Sequence, residues 1–326
     1  MTILGAILLD LDTVVADLFD FPGGGHTITS SGRTAGTNAL NMNTNTSTKN
    51  LPSAIGTCFV AMGWNPTAGL GATPVVAFLD AGTAQVTIAP AADGSIAVYR
   101  AGISGTLLGT APVASCVAAV YQHIEVGVTI SATVGTVQIW INGVSVLNLI
   151  GQNTKNTANT TVSQLAFQAG GSSGLLCDII YGTARITDCR VECFVPTGAG
   201  THAAFTPSAG SNWQNVDDVP PNDDADYNST STVNAIDSFA HAALTSSPLS
   251  IKAVVVQVRA RNTTTGTGAI APLVRSGTTE SVGAALTLNT GYQDTQAVYE
   301  TDPNTSAAWA NAAAVNAAEI GYKKTA

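Results

Sequence analysis

Between His123 and Ile150 the chain reads HIEVGVTISATVGTVQIWINGVSVLNLI. Ile124, Val126, Val128 and Ile130 alternate with polar or small residues, the period of a strand with one buried face. Val137, Ile139 and Ile141 repeat the alternation, and Asn142-Gly143 then supplies the φ > 0 pair of a two-residue hairpin turn. Val144, Val146 and Leu147 start the return strand. The same pattern predicts strands at 57–64, 74–79, 85–89, 95–100, 123–130, 136–141, 144–149, 164–169 and 176–181. Turns rich in Gly, Pro, Asn and Asp separate them, with no helical periodicity between, which indicates a sandwich. Residues 151–161, GQNTKNTANTT, read as an exposed loop.

A second domain is expected after Pro196-Thr197-Gly198. It opens on a long polar stretch with one strand near Tyr227, and strand patterns resume at 251–261, 270–275, 284–288 and 297–300. The Ala-rich residues 306–318, preceded by Asp302-Pro303, fit one short helix, and 319–323 a last strand. Residues 1–25 end in Pro22-Gly23-Gly24-Gly25 and read as an arm, packed on its own domain or docked on another subunit. The expectation is therefore an all-β chain: an arm at 1–25, a jelly roll at 26–196, and a second β-sandwich at 197–326 with one short helix near the C-terminus.

Composition narrows the function. Charged residues are 10% of the 326, against about 25% in ordinary soluble domains. Thr, Asn and Ser desolvate at lower cost than Lys or Glu, so such a surface suits packing against neighbours. The net charge of −9 and the absence of any basic patch argue against nucleic acid. The apolar N-terminus lacks a basic n-region and carries Asp10, Asp12 and Asp17, a poor signal peptide and a poor membrane span.

Five cysteines, Cys58, Cys116, Cys177, Cys189 and Cys193, cannot form a closed set of intramolecular disulfides, and their spacing matches no zinc site. On a strand Cys189 and Cys193 would lie roughly 13 Å apart, beyond a disulfide's reach. Buried thiols and inter-subunit disulfides both remain open, with Cys189, Cys193 and Cys58 the candidates for the latter.

Catalytic motifs are weak. Gly170-Gly171-Ser172-Ser173-Gly174 fits G-x-S-x-G, but a strand follows where a nucleophile elbow needs a helix, so it reads as a turn. Glycanases of the concanavalin-like fold need paired carboxylates roughly 5–9 Å apart, carried on E-x-D-x-x-E, which none of the five glutamates completes. Asp217, Asp218, Asp223, Asp224 and Asp226 form an acidic cluster that reads as a solvated turn or an interface, with calcium the less favoured use. His26, His123, His202 and His241 form no ligand spacing. Among Trp64, Trp140, Trp213 and Trp309, core packing is favoured over glycan stacking, for which Trp64 and Trp140 are the candidates. The side on which Trp140 lies is left open.

The run 123–150, with Ser163–Thr183 (SQLAFQAGGSSGLLCDIIYGT), resembles sandwich domains of the concanavalin/laminin-G type. The stretch from Phe205 to Pro221 (FTPSAGSNWQNVDDVPP) is similar to structural proteins of tailed bacteriophages and prophages. So are Asp226-Tyr-Asn-Ser-Thr, Ile251-Lys-Ala-Val, Val258-Arg-Ala-Arg261, Tyr299-Glu-Thr-Asp-Pro303, Ala308-Trp309 and the segment from Val315 to Gly321. The resemblance spans about 30–326, is diffuse through 33–116, and implies a laminin-G-like jelly roll followed by a second sandwich. It further implies a non-enzymatic virion part (neck or collar, tail, or capsid decoration) assembled in the bacterial cytoplasm, with itself and other virion proteins as partners and no membrane. Relatives generally lack cysteine where Cys189 and Cys193 stand. Their "DD" pair is here Cys177-Asp178, which removes one carboxylate from any inherited calcium site. The alternative is an adhesin-like module that binds host-surface glycans at the jelly-roll rim.

Overall fold

A computed structural model describes residues 2–11 and 18–326. The chain divides into two compact units, 1–191 and 192–326. Among the described residues it is all-β, in antiparallel sheets that form sandwiches, with a short α-helix, Ala312–Asn316, near the C-terminus.

Among the described residues, these strands build the first unit: β1 Ile3–Ile7, β2 Thr27–Thr29, β3 Ala39–Met42, β4 Ser47–Ile55, β5 Thr57–Asn65, β6 Val76–Asp80, β7 Thr83–Pro90, β8 Ile96–Arg100, β9 Thr106–Thr110, β10 Gln122–Thr129, β11 Gly135–Ile141, β12 Val144–Gln152, β13 Val162–Phe167 and β14 Gly174–Gly182. One sheet runs β12-β11-β10-β5-β14-β3-β2, with β1 added on β14; the facing sheet runs β4-β13-β6-β7-β8-β9. The alternation read from the sequence decides what lies between them. Ile124, Val126, Val128, Val137 and Ile139 point inward from one sheet, Phe78, Val86, Ile88, Val98 and Phe167 from the other. Trp64, fully buried, donates its indole N–H to the Ala169 carbonyl at 3.0 Å. Asn142 and Gly143 both take φ > 0 in the β11–β12 turn.

All nine strands predicted in this unit are present. Missing from the prediction were β2, β3, β4 and β9, which are short, or polar and interrupted by Pro52. Of the expected arm, Ile3–Ile7 is strand β1, paired with β14 of its own unit, and Leu8, Leu9, Leu18 and Phe19 are buried. Its residues 12–17 lie outside the described residues. The 151–161 segment is largely exposed, as expected, and is braced from within: buried Gln85 donates to Thr157 Oγ1 and to the Asn159 and Thr161 carbonyls, and accepts from the Asn156 and Thr157 amides.

In the second unit, a sheet runs Pro196–Ala203, Ile236–His241, Glu319–Lys324, Ala269–Ser276, Thr279–Val282. A ribbon of Val254–Ala260 and Gln293–Tyr299 packs on it through Val256, Val258, Ala297 and Tyr299 against Phe239, Ile270, Val274 and Tyr322. Pro196-Thr197-Gly198, after which the second domain is expected, begins the edge strand, where proline and glycine are tolerated.

Candidate functional site

The first sheet's outer face carries a polar cluster that the core pattern did not reveal. His123 on β10 pairs with Gly63 on β5, and Gly63 with Cys177 on β14, so the three share one row across the sheet. A Cβ on Gly63 would stand 2.6 Å from Cys177 Sγ and 3.2 Å from Arg33 Nε, so only glycine lets the Arg33 side chain lie across the strand. Arg33 Nε donates to Asp178 Oδ2 at 3.2 Å, and its terminal nitrogen donates to Asp188 Oδ1 at 2.8 Å and the Cys189 carbonyl at 2.9 Å. Asp178 sits at φ 49 where the β14 register shifts, which turns its carboxylate toward Arg33 and the Val191 amide.

Two residues along β10, the fully buried Glu125 accepts from the Ile186 amide at 2.5 Å, the Thr187 amide at 3.3 Å and Arg185 Nε at 3.2 Å. The Arg185 guanidinium lies 4.5 Å over the Trp140 ring, which stacks on Phe59. Residues 183–191 therefore form a strap, clamped to the sheet by Glu125, Asp178 and Arg33. Every charged group of the cluster is engaged in holding it. Burial pushes the Cys177 thiol up to about 12, so it is no nucleophile, and no carboxylate pair is presented to solvent. The cluster is a clamp.

Several sequence-derived candidates are corrected by these positions. Trp64 is sealed in the core and cannot stack on a sugar. Trp140 lies on the outer face, by unbroken alternation with Ile139 and Ile141, but is covered by Arg185. Cys58 is fully buried, its thiol pushed up to about 12 by burial, so no partner subunit reaches it. Cys189 and Cys193 are half-buried thiols in the irregular segment after β14, not on a strand. Ser172 lies in the turn before β14, its hydroxyl donating to the Ala68 carbonyl.

The acidic cluster is matched by arginines. Asp223 accepts two bonds from Arg259, at 2.7 and 3.2 Å, and Asp224 accepts from Arg261 at 2.6 Å and the Tyr292 hydroxyl at 2.9 Å. Among the described residues no three acidic, His or Cys side chains converge to hold a metal. His26 bonds Ser47 and Asn43, His202 bonds Glu280, and His241 bonds backbone carbonyls; neither ring nitrogen of His123 has a protein partner.

Two surface features remain. Where β12 and β9 end their sheets side by side, neither strand contains a charged residue, and Val144, Leu107 and Ile150 are 66%, 54% and 69% exposed. Gly109 on β9 lies against Leu149 of β12, where a Cβ would meet the leucine at 2.8 Å. At the sandwich rim, Thr44, Ala72, Thr73, Pro74, Ile103 and Gln168 line an open groove of about 420 Å³.

No family model matches this chain, and no curated protein matches it. Solved structures similar to it include alginate lyase Aly36B, at 13% identity over 58% of this chain and 98% of that one, with a TM-score of 0.34. The carbohydrate-binding module CBM66 from Bacillus subtilis shares 7% identity over 49% and 94%, with a TM-score of 0.33. The carbohydrate recognition domain of Emp46p shares 7% over 56% and 97%, with a TM-score of 0.35. At such identities and scores no residue role passes from those proteins to this chain.

Proposed function

We propose that this chain is a non-enzymatic structural component of a tailed-phage virion that joins copies of itself, and neighbouring virion proteins, along the open β12/β9 side of its first sandwich. The observation that carries this reading is the neutral, exposed edge of β12. An edge strand presents a row of unused backbone donors and acceptors, and proteins that remain monomeric blunt such edges with Lys, Pro or a cover. β12 reads VSVLNLIGQ and has neither lysine nor proline nor, among the described residues, a covering strand, although its pairing with β11 is bulged at 145–147 and 149–152. Antiparallel pairing of β12 with a second β12 is self-complementary and brings no like charges together, although each chain carries −9 overall. The virion context is supported by the phage-like segments between Phe205 and Gly321. Gold-labelled antibody on purified particles tests it: label at one fixed position, the neck or collar in the favoured case, is expected. Particles without label would remove the virion assignment.

The rim groove favours a second reading, a module that binds host-surface glycans. Thr44, Thr73 and Gln168 offer neutral hydrogen-bonding groups beside the exposed apolar face of Ile103. Label at fibre tips, with saturable sugar binding lost in Ile103→Asp, would put this reading first. A chain that binds no sugar on a broad glycan array would remove it.

A further inference from the structure

We propose that His123 and the 183–191 strap form an acid-sensitive latch: protonation of the buried imidazole releases the strap, the last segment of the first unit, from the first sheet. The geometry is unusual for a histidine. His123 is 2% exposed, and neither ring nitrogen has a protein hydrogen-bond partner. Its backbone is held on both sides, the amide donating to Asn142 Oδ1 and the carbonyl accepting from the Asn142 amide, so the ring cannot leave without disturbing the hairpin. Access for water and a proton must therefore come from movement of what lies on top.

The groups around it are unequal in sign. Glu125 on the same strand, Asp178 on β14 and Asp188 on the strap favour the imidazolium, while Arg33, lying across Gly63, opposes it. Arg185 and Arg190 of the strap are directed to Glu125 and to Asp178 and Asp188. Cys177 and Tyr121 border the cluster; Cys177 is a buried thiol and the Tyr121 hydroxyl donates to the Ser31 carbonyl. Desolvation outweighs the carboxylates and holds His123 below the ordinary histidine value.

The direction of the effect follows. With the strap closed the ring stays neutral; with it open the ring is hydrated and titrates near 6.5, the ordinary value. Closure is thus fully favoured above that pH and loses ground as pH falls below it, until the closed-state value is passed. Over that window the open population rises by up to roughly tenfold per pH unit. The anchors of the strap are local, chiefly Glu125, Asp178 and Arg33, so it opens as a unit while the strands beneath remain paired.

Amide hydrogen exchange on the full chain, corrected for the intrinsic pH dependence, tests the latch. Between pH 7 and 5 the Ile186, Thr187 and Val191 amides are expected to lose protection by roughly tenfold or more, while Val126 and Ile139 hold theirs. His123→Leu should abolish the pH response. A flat profile in the parent chain, or a response that persists in His123→Leu, would overturn the proposal. If that variant does not fold, the C2–H resonance of His123 in the parent chain decides: a titration midpoint at or above the ordinary histidine value would equally overturn it.

Discussion

The two sides of the first sandwich treat their edge strands in opposite ways. On one side β4 contains Lys49 and Pro52 and is capped by the preceding chain: Phe21 and Thr48 exchange backbone hydrogen bonds, and Asp20 accepts from the Asn50 amide. On the other side β12 and β9 end their sheets with no charge, no proline and, among the described residues, no capping chain, under exposed Val144, Leu107 and Ile150. Both sides belong to one unit and one hydrophobic core, so core stability does not distinguish them. The charge, proline and capping chain that keep a strand from pairing with another chain are present on β4 and missing from β12, whose only such feature is irregular pairing with β11 at 145–147 and 149–152. That asymmetry is what an assembly part with one joining face requires.

The largest effect is expected from charging the open side. Ser145 and Asn148 lie exposed on β12. In an antiparallel pair of β12 edges, Ser145→Lys with Asn148→Lys places like charges beside one another, each opposed pair costing about 0.2–1 kcal/mol. Sedimentation velocity should show self-association weakened by roughly tenfold or more, with the thermal midpoint little changed. Association of unaltered strength would mean that copies meet elsewhere.

A smaller effect, of a different kind, is expected on the guarded side. Ser47 Oγ accepts from the Gly23 amide at 2.9 Å and bonds His26 Nδ1 at 2.8 Å, while His26 Nε2 bonds Asn43. Ser47 is fully buried. Ser47→Ala leaves buried polar groups without a partner, which costs about 1–3 kcal/mol. Urea unfolding should report that loss while sedimentation stays unchanged. A neutral Ser47→Ala would show that this bracing of the chain ahead of β4 contributes nothing.

The contrast between sides was half legible in the sequence. Alternation at 124–130 and 137–141 gave strands, faces and the hairpin turn correctly, because period 2 with one buried side is a direct imprint of packing. The sequence leaves the side of Trp140 open, and the structure settles it opposite Ile139, with nothing local indicating that Arg185 covers it. The guards on β4 were visible as Lys49 and Pro52, but their presence hid the strand itself: a polar, proline-interrupted segment looks like a loop unless its neighbours are known. The strap clamp was illegible. Arg33, Glu125, Asp178 and Arg185 are far apart in sequence, and only the pairing of β5, β10 and β14 brings them together. The one signal available was a glycine at 63 within a strand, since Glu125 stands at the outward parity, where a charge is ordinary. The acidic residues near 223 were visible, but their arginine partners on Val254–Ala260 and beyond it were not paired with them from sequence.

The smallest effect separates two kinds of guard. Lys49 Nζ stands 3.8 Å from Asp20 Oδ2, with both side chains partly solvated. A pair of that kind contributes up to about 1 kcal/mol, so the charge is weak as a stabiliser. Its value on an edge strand is to disfavour a second chain, yet β4 is also covered by backbone hydrogen bonds at Thr48 and an Asp20 bond at Asn50. Lys49→Val with Pro52→Val removes the charge and the missing donor but leaves that cover in place. Introduced into the doubly charged β12 chain, these changes should alter stability by less than about 1 kcal/mol and leave a monomer in sedimentation. New dimers in that background would mean that lysine and proline, rather than the capping chain, keep this side closed, and that the open side differs from it by composition alone.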